Sequence, residues 1–322
     1  MNTAALGIKA LILLTLLMIP QSASGADEFR IEKADSGWNI FRGDQLVAVH
    51  LTDAGGKPII YPLKTLQGVS VTRDFPMKAA GKFERDDHDH HRSLWLTHGE
   101  VNGIDFWLDD ADRNCGRIVQ TDATADVIDG AAVLNTKNDW ISADGKPVLS
   151  DTRRFTFREL DGRHVVDCDY VLHASAGDVN FGDTKEGTFG IRVAGSMKVD
   201  AKLGGKVVSD SGKVNKGAWG QPANWVDYTG PVGESRVGVT IHYHTQSHNA
   251  PCRWHVRTYG LFAANPFGTH HFTGGERTEG YTLKSGQSLP ISVRVVLHDG
   301  ELNAQQAAKD NAAYNAQPLP KL

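Results

Sequence analysis

Between Glu84 and Gly103, twenty positions hold four histidines and five acidic residues. Imidazoles and carboxylates at that density suit two kinds of chemistry: holding a metal ion, or moving protons on a polar substrate. If the segment is extended, His88, His90 and Arg92 share one face and His91 points the other way. A His-x-His pair on a strand projects two imidazoles to one side, and Asp86, Asp87, Asp89 or His98 would complete a divalent metal site. The metal-free alternative uses the same residues, because a carboxylate beside an imidazole orients it and raises its basicity.

Two more stretches carry similar groups. Phe181 to Arg192 interrupts a β-rich region with three glycines and four charges, and Asp183 and Glu186 there could act as acid and base, tuned by Lys185 and Arg192. From His242 to His271 the chain gathers His242, His244, His248, His255, His270 and His271. Folded against the first cluster, these would make one polar cleft; kept apart, they are ordinary surface residues. The glycine spacing fits no phosphate loop, and with no Gly-x-Ser-x-Gly elbow a serine nucleophile has no specific support.

The elements that would position these groups repeat every two residues. Val237, Val239, Ile241 and Tyr243 alternate with Gly238, Thr240, His242 and His244, and Leu289 to Leu297 alternates likewise. Short strands bounded by Ala54-Gly55-Gly56, Asn102-Gly103, Asp129-Gly130, Asp144-Gly145 and Asp161-Gly162 predict an all-β fold, a large antiparallel β-sandwich. Only Leu302 to Tyr314 reads as helix, a short C-terminal one. Residues 1–25 carry Lys9, an apolar run and a small-residue cleavage site, the pattern of a signal peptide. The chain is therefore expected to be periplasmic or secreted, with residues 26–322 as a single domain and no membrane span after cleavage. A net charge of −4 gives no basic field, so nucleic acid is not an expected partner. Cys115, Cys168 and Cys252 match no zinc spacing and leave either one disulfide with a free thiol or three thiols.

Several blocks together resemble the DUF6807 family, which carries the label PmoA-like, or "methane oxygenase PmoA". They are Tyr61-Pro62, Val71-Thr72-Arg73, Asp87 to Trp95, Val101 to Trp107, Gly182 to Gly187, Trp225 to Tyr228 and Trp254 to Gly268; Asp89 stands where that pattern has proline. The resemblance implies an exported bacterial protein of glycan-degrading settings, with a supersandwich like that of galactose mutarotase. Methane oxidation does not follow, since that chemistry belongs to a bundle of membrane helices. The expected function is cleavage of a glycosidic C–O bond in a sugar or oligosaccharide, as a hydrolase or as a lyase acting on an oxidised sugar. His90 or His91 would be the base, oriented by Asp89 or Asp105, with Glu186 as the acid. Arg92, His98, Asn102, Trp107, Arg192, Trp254, His255 and Asn265 would contact substrate, and His88, His90, His242 and His244 would hold a divalent metal ion. A mutarotase-like epimerase, a glycan-binding protein without catalysis and a copper protein are the alternatives.

Overall fold

The computed structural model describes Met1, residues 28–110 and residues 113–322. The expected signal peptide at residues 1–25 lies outside the described residues, apart from Met1. The first strands are β1 (Phe29–Ala34), β2 (Gly37–Arg42), β3 (Gln45–Leu51), β4 (Ile59–Leu63), β5 (Leu94–His98) and β6 (Arg117–Ile128). Then come β7 (Ala131–Ile141), β8 (Pro147–Leu160), β9 (Arg163–His173), β10 (Val179–Phe181), β11 (Gly187–Arg192) and β12 (Lys206–Ser209). The last are β13 (Trp225–Val232), β14 (Ser235–Tyr243), β15 (Arg253–Val256), β16 (Leu261–Asn265), β17 (Tyr281–Leu283) and β18 (Ser288–Asp299). A one-turn helix α1 (His270–Thr273) follows β16, and α2 (Ala304–Asn315) closes the chain.

Two eight-stranded antiparallel sheets stack face to face, the expected all-β sandwich. The first runs β1-β2-β3-β4-β5-β11-β16-β15 and the second β12-β13-β14-β18-β9-β8-β7-β6; β10 pairs with β17 beside them. The dipeptides read as turns make tight hairpins. Asp129 and Gly130 both take positive φ between β6 and β7, and Asp161 and Gly162 do the same between β8 and β9. That is the two-residue turn whose twist matches its strands.

The period-two pattern decides what each sheet buries. Leu94, Leu96, Phe189, Ile191, Phe262 and Trp254 from the first sheet join Phe155, Phe157, Val166, Tyr170, Ile241 and Val295 from the second in one core. Truncating one of these large side chains to alanine removes about 3–5 kcal/mol. The intervening residues of the first sheet face away from this core. Ile59, Tyr61, Trp95, Leu261 and Ala263 form a second apolar cluster there with Trp107, and Met77, Leu108 and Tyr259 pack against it. That outer cluster is the floor of the site.

The outer face of the second sheet is closed off differently. Tyr314 of α2 donates a hydrogen bond to Ser292 Oγ (2.9 Å), and Asp310 pairs with Arg163. Beneath the helix, Arg294 binds Asp167 through Nε (2.6 Å) and Nη2 (3.1 Å). All three cysteines are free thiols, Cys168 and Cys252 buried and Cys115 partly so.

Candidate functional site

Residues 73–92 lie over the outer floor of the first sheet and are organised by two hubs, a buried arginine and a partly buried glutamate. The Arg73 guanidinium, 1% exposed, donates to the carbonyls of Asp87 (2.9 Å), His88 (2.8 Å) and His91 (3.2 Å). The Glu84 carboxylate accepts from the backbone N–H groups of Asp74 (2.9 Å) and Phe75 (3.0 Å). One arginine gathering three carbonyls folds the histidine segment back on itself. It is a tight turn rather than the extended run expected from sequence: His88 takes φ 49°, and the His91 N–H donates to the His88 carbonyl (2.9 Å).

The turn changes which imidazoles meet. Trp95, His91, His88 and Tyr259 form a stack of nearly parallel rings, with successive centroids 5.5, 5.0 and 5.4 Å apart. His90 meets His91 edge-on at 4.4 Å, and Trp107 meets it edge-on at 5.7 Å. His91 is buried inside the stack, so it cannot act as the accessible base expected of it. Its Nδ1 lies 3.1 Å from Arg192 Nη1. A guanidinium only donates, so Nδ1 accepts and the neutral ring carries its hydrogen on Nε2. Burial, reinforced by His90 and Arg192, pushes the His91 pKa well down.

His88 is the most exposed imidazole of the turn, its side chain 41% exposed, and His90 is partly reachable at 14%. Burial and then the Lys57 charge lower its pKa to about 4, so at neutral pH it is an unprotonated base. Asp89 lies 3.9 Å from its Nδ1, too far for a hydrogen bond. Lys57 is itself buried against the Trp107 carbonyl (2.8 Å), and burial lowers it to about 8.

The second sequence cluster reaches the same face through Glu186 and His255. His255 Nδ1 sits 2.8 Å from the Lys185 carbonyl, which fixes the hydrogen on Nδ1 and leaves the buried Nε2 lone pair without a partner. Burial lowers this ring to about 4. Glu186 lies 3.9 Å from His255 and 2.8 Å from Lys185 Nζ. Burial alone would raise its pKa; His255, Lys185 and His90 outweigh that and hold it below the ordinary value. Glu186 is thus ionised at neutral pH, the reverse of the acid role expected for it. Asp105 moves the other way, raised by burial although its Oδ1 accepts from Trp107 N (2.8 Å) and Leu108 N (2.9 Å).

His255, Arg257 and Tyr259 follow at steps of two. The Arg257 guanidinium lies over the rings of Tyr259 (5.3 Å) and Trp219 (5.9 Å), while Arg192 lies over Tyr259 at 4.7 Å. Burial raises the Tyr259 pKa, so its phenol keeps its proton.

Several expected contacts have other duties. Trp254 is fully buried between the sheets with Nε1 on the Ala223 carbonyl (3.0 Å), and Trp107 has no exposed surface, so neither can lie under a sugar. His98 is sealed against Gly182 O (2.8 Å) and Thr188 Oγ1 (3.3 Å). Asn265 shapes its own loop, accepting from Phe267 N and Gly268 N and donating to Thr184 O. Asn102 ties its hairpin to Asp178 O and Asn180 N. Arg92 is bound to Asp109 through Nε (3.1 Å) and Nη2 (2.8 Å).

The four-histidine metal set does not assemble. His242 lies on β14 of the second sheet, and His244 follows it, with Nε2 at the Gln317 carbonyl (2.9 Å) and its ring edge-on to Tyr314. Strand parity explains this, because that face is the one α2 covers. Asp89, His90 and Asp109 do bring ligand atoms within 4.8 Å of one another. A cation there would compete with Arg92 for Asp109.

Sequence reasoning did not nominate Lys57, Arg73, Trp219, Arg257 or Tyr259. For the last two the signal was available: they continue the alternation that starts at His255.

A family model described as "Family of unknown function (DUF6807)" matches residues 39–312. No curated protein sequence matches the chain. Among solved structures, the chain is similar to a glycoside hydrolase family 97 enzyme from Pseudoalteromonas sp. strain K8 in complex with acarbose, at 13% identity and TM-score 0.34. That match covers 86% of this chain and 35% of the other, so this chain spans about a third of that enzyme. It is also similar to the galactosidase domain of the alpha-galactosidase-sucrose kinase AgaSK, at 9% identity and TM-score 0.33, covering 84% of this chain and 39% of that one. Likenesses this distant carry no activity across.

Proposed function

We propose for this chain, which belongs to the DUF6807 family of unknown function, an exported carbohydrate-active enzyme that cleaves a glycosidic C–O bond by elimination on an oxidised sugar. The observation that carries this reading is the pairing of two unprotonated imidazoles, His90 and His255, with ionised Glu186 and the cations Arg192 and Arg257 on one outer face. A C–H beside a carbonyl is acidic enough for such a base once the enolate charge has cationic neighbours.

His90 takes the proton from that carbon, and the C–H electrons become the new C=C bond as the C–O bond to the leaving sugar breaks. Tyr259, which keeps its proton, supplies it to the departing oxygen. Arg192, buried behind the ring stack, offsets the developing negative charge through space, and Glu186 pairs with Lys185. No water is added, and no oxidant or reductant is consumed. Hydrolysis, epimerisation or binding without turnover would each leave a different product.

Oxidised and unoxidised disaccharides, incubated with the protein and followed by mass spectrometry, test the reading. An unsaturated product whose mass and that of the released sugar sum to the substrate is expected. His90→Ala should slow its formation by about 10²–10⁴-fold. Incorporation of solvent ¹⁸O would replace elimination with hydrolysis, and turnover untouched in His90→Ala would remove the assignment.

A further inference from the structure

Beside this face lies a cleft of about 330 Å³ lined by Lys216, Trp219, Val256, Arg257 and Thr258. The cleft adjoins this face through Tyr259 and His255: Arg257 lies 5.3 Å over the Tyr259 ring, and the Trp219 and His255 ring centroids are 6.5 Å apart. Its volume falls at the lower end of small-ligand sites.

The two cations of the cleft lack the aspartate partners that several arginines elsewhere have. Arg92, Arg153, Arg163 and Arg294 each pair with an aspartate. Among the described residues, the guanidinium of Arg257 has only aromatic faces beside it, those of Trp219 and Tyr259, and the ammonium of Lys216 meets no carboxylate. Arg257 is partly exposed and Lys216 exposed, so an anion entering the cleft would meet both charges. Trp219 supplies the one aromatic face among the residues lining the cleft. An indole wall and two cations suit one kind of molecule: a ring with apolar C–H faces and a negative substituent.

We infer that this cleft is the subsite for a carboxylate-bearing sugar, a uronate, with Trp219 against the ring and Arg257 and Lys216 on the carboxylate. The inference rests on the proposed function and names the substrate class for it. A carboxylate is preferred to a sulfate ester because it is bonded to a ring carbon. Paired with a guanidinium, it acidifies the neighbouring C–H that the elimination must break, which a sulfate ester on oxygen does not.

The test is binding to the full mature chain, measured by ligand-observed NMR titration with three probes: methyl glucuronoside, methyl glucoside and the 6-sulfate of methyl glucoside. The uronate should bind about tenfold or more tightly than the neutral glycoside, since a charge-assisted hydrogen bond contributes on that scale. Arg257→Gln should remove that preference and change the affinity for the neutral glycoside little, whereas Trp219→Ala should weaken both. If Arg257→Gln lowers stability, Lys216→Gln, on an exposed side chain, gives the same reading with a smaller loss. Equal affinity for uronate and neutral probe, no binding of any probe, or tighter binding of the sulfate ester each overturns the inference. The two claims separate cleanly. Neutral oxidised disaccharides turned over by a protein indifferent to uronates would leave the proposed reaction standing and remove only the subsite, while Arg257-dependent uronate binding with no turnover of any saccharide would do the opposite.

Discussion

At the scale of single residues, the site depends on groups that hold other groups. Arg73 touches no candidate reacting atom, yet its guanidinium fixes three carbonyls of the histidine turn. Lysine keeps the charge but presents a point donor where a planar fork is needed. Arg73→Lys should therefore lower kcat/KM about tenfold or more by loosening His90, while an Arg92→Lys control is milder; steady-state kinetics on an identified substrate checks this. The pH profile is a second residue-scale prediction. His90 must be unprotonated to act, and burial holds its pKa to about 4. Activity should stay level from pH 7 to about 5 and fall as pH approaches 4. An acidic limb centred near 6.5 would mean a solvated imidazole and a different base. Residue types at 88–91, Glu186 and His255 were legible as chemistry in the sequence. Their protonation states were not, because a tautomer is set by whichever carbonyl or guanidinium the fold brings alongside, and those partners lie 70 to 101 positions away in the chain.

At the scale of elements, strand parity made the hairpins and the inter-sheet core readable, and it failed where the chain leaves the ladder. His88 in the left-handed region breaks the alternation that would have put His88 and His90 on one face. Nothing local announces that break, since Arg73, which enforces it, sits fifteen residues earlier. The close fit of β11 under the stack gives a further prediction. A Cβ on Gly190 would stand 2.8 Å from Trp95 Cζ2, and overpacking of this kind costs about 1–3 kcal/mol. Gly190→Ala should lower Tm and displace Trp95 together with the imidazoles resting on it, so activity falls more steeply than stability. Thermal melts beside kinetics separate the two. The loop carrying Glu186 is anchored similarly by Asp183, whose carboxylate accepts from the backbone of Thr269, His270 and Thr278. Burial alone would raise the Asp183 pKa, and those N–H groups hold it well down instead. Asp183→Asn is expected to unseat that loop and reduce turnover without abolishing the fold.

At the scale of the molecule, the sandwich and the short terminal helix were readable from periodicity, whereas the division of the histidines between two faces was not. It depends on which sheet each strand joins, a long-range choice that local pattern does not encode. His50, His98, His164 and His242 are buried in their neutral form, with pKa values lowered by burial to about 3 for His50 and about 4 for the others. The sign follows from linkage. Each ring binds its proton more readily in the unfolded chain, so its contribution to stability is complete above about pH 6.5 and is lost as pH falls from there toward 4. Each ring in that window adds up to about 1.4 kcal/mol per pH unit, so Tm should drop steeply between pH 6.5 and 5. His298 opposes this trend: burial would lower it, but its 2.8 Å bond to Asp227 raises it, so its contribution fades only as pH rises through the folded pKa. Calorimetry across pH 5–8 on the wild type and His298→Gln distinguishes the two signs. A flat Tm over that range would mean that the interior imidazoles are solvated.

The column of rings from Trp95 through His91 and His88 to Tyr259 has an optical consequence. An imidazole in face contact with an indole quenches its emission more strongly once protonated, and any molecule that shifts Tyr259 at the outer end must disturb the order beneath it. The brightness of Trp95, isolated as the difference between wild type and Trp95→Phe, would therefore signal occupancy of the face from inside the protein, with no dye and no product to detect.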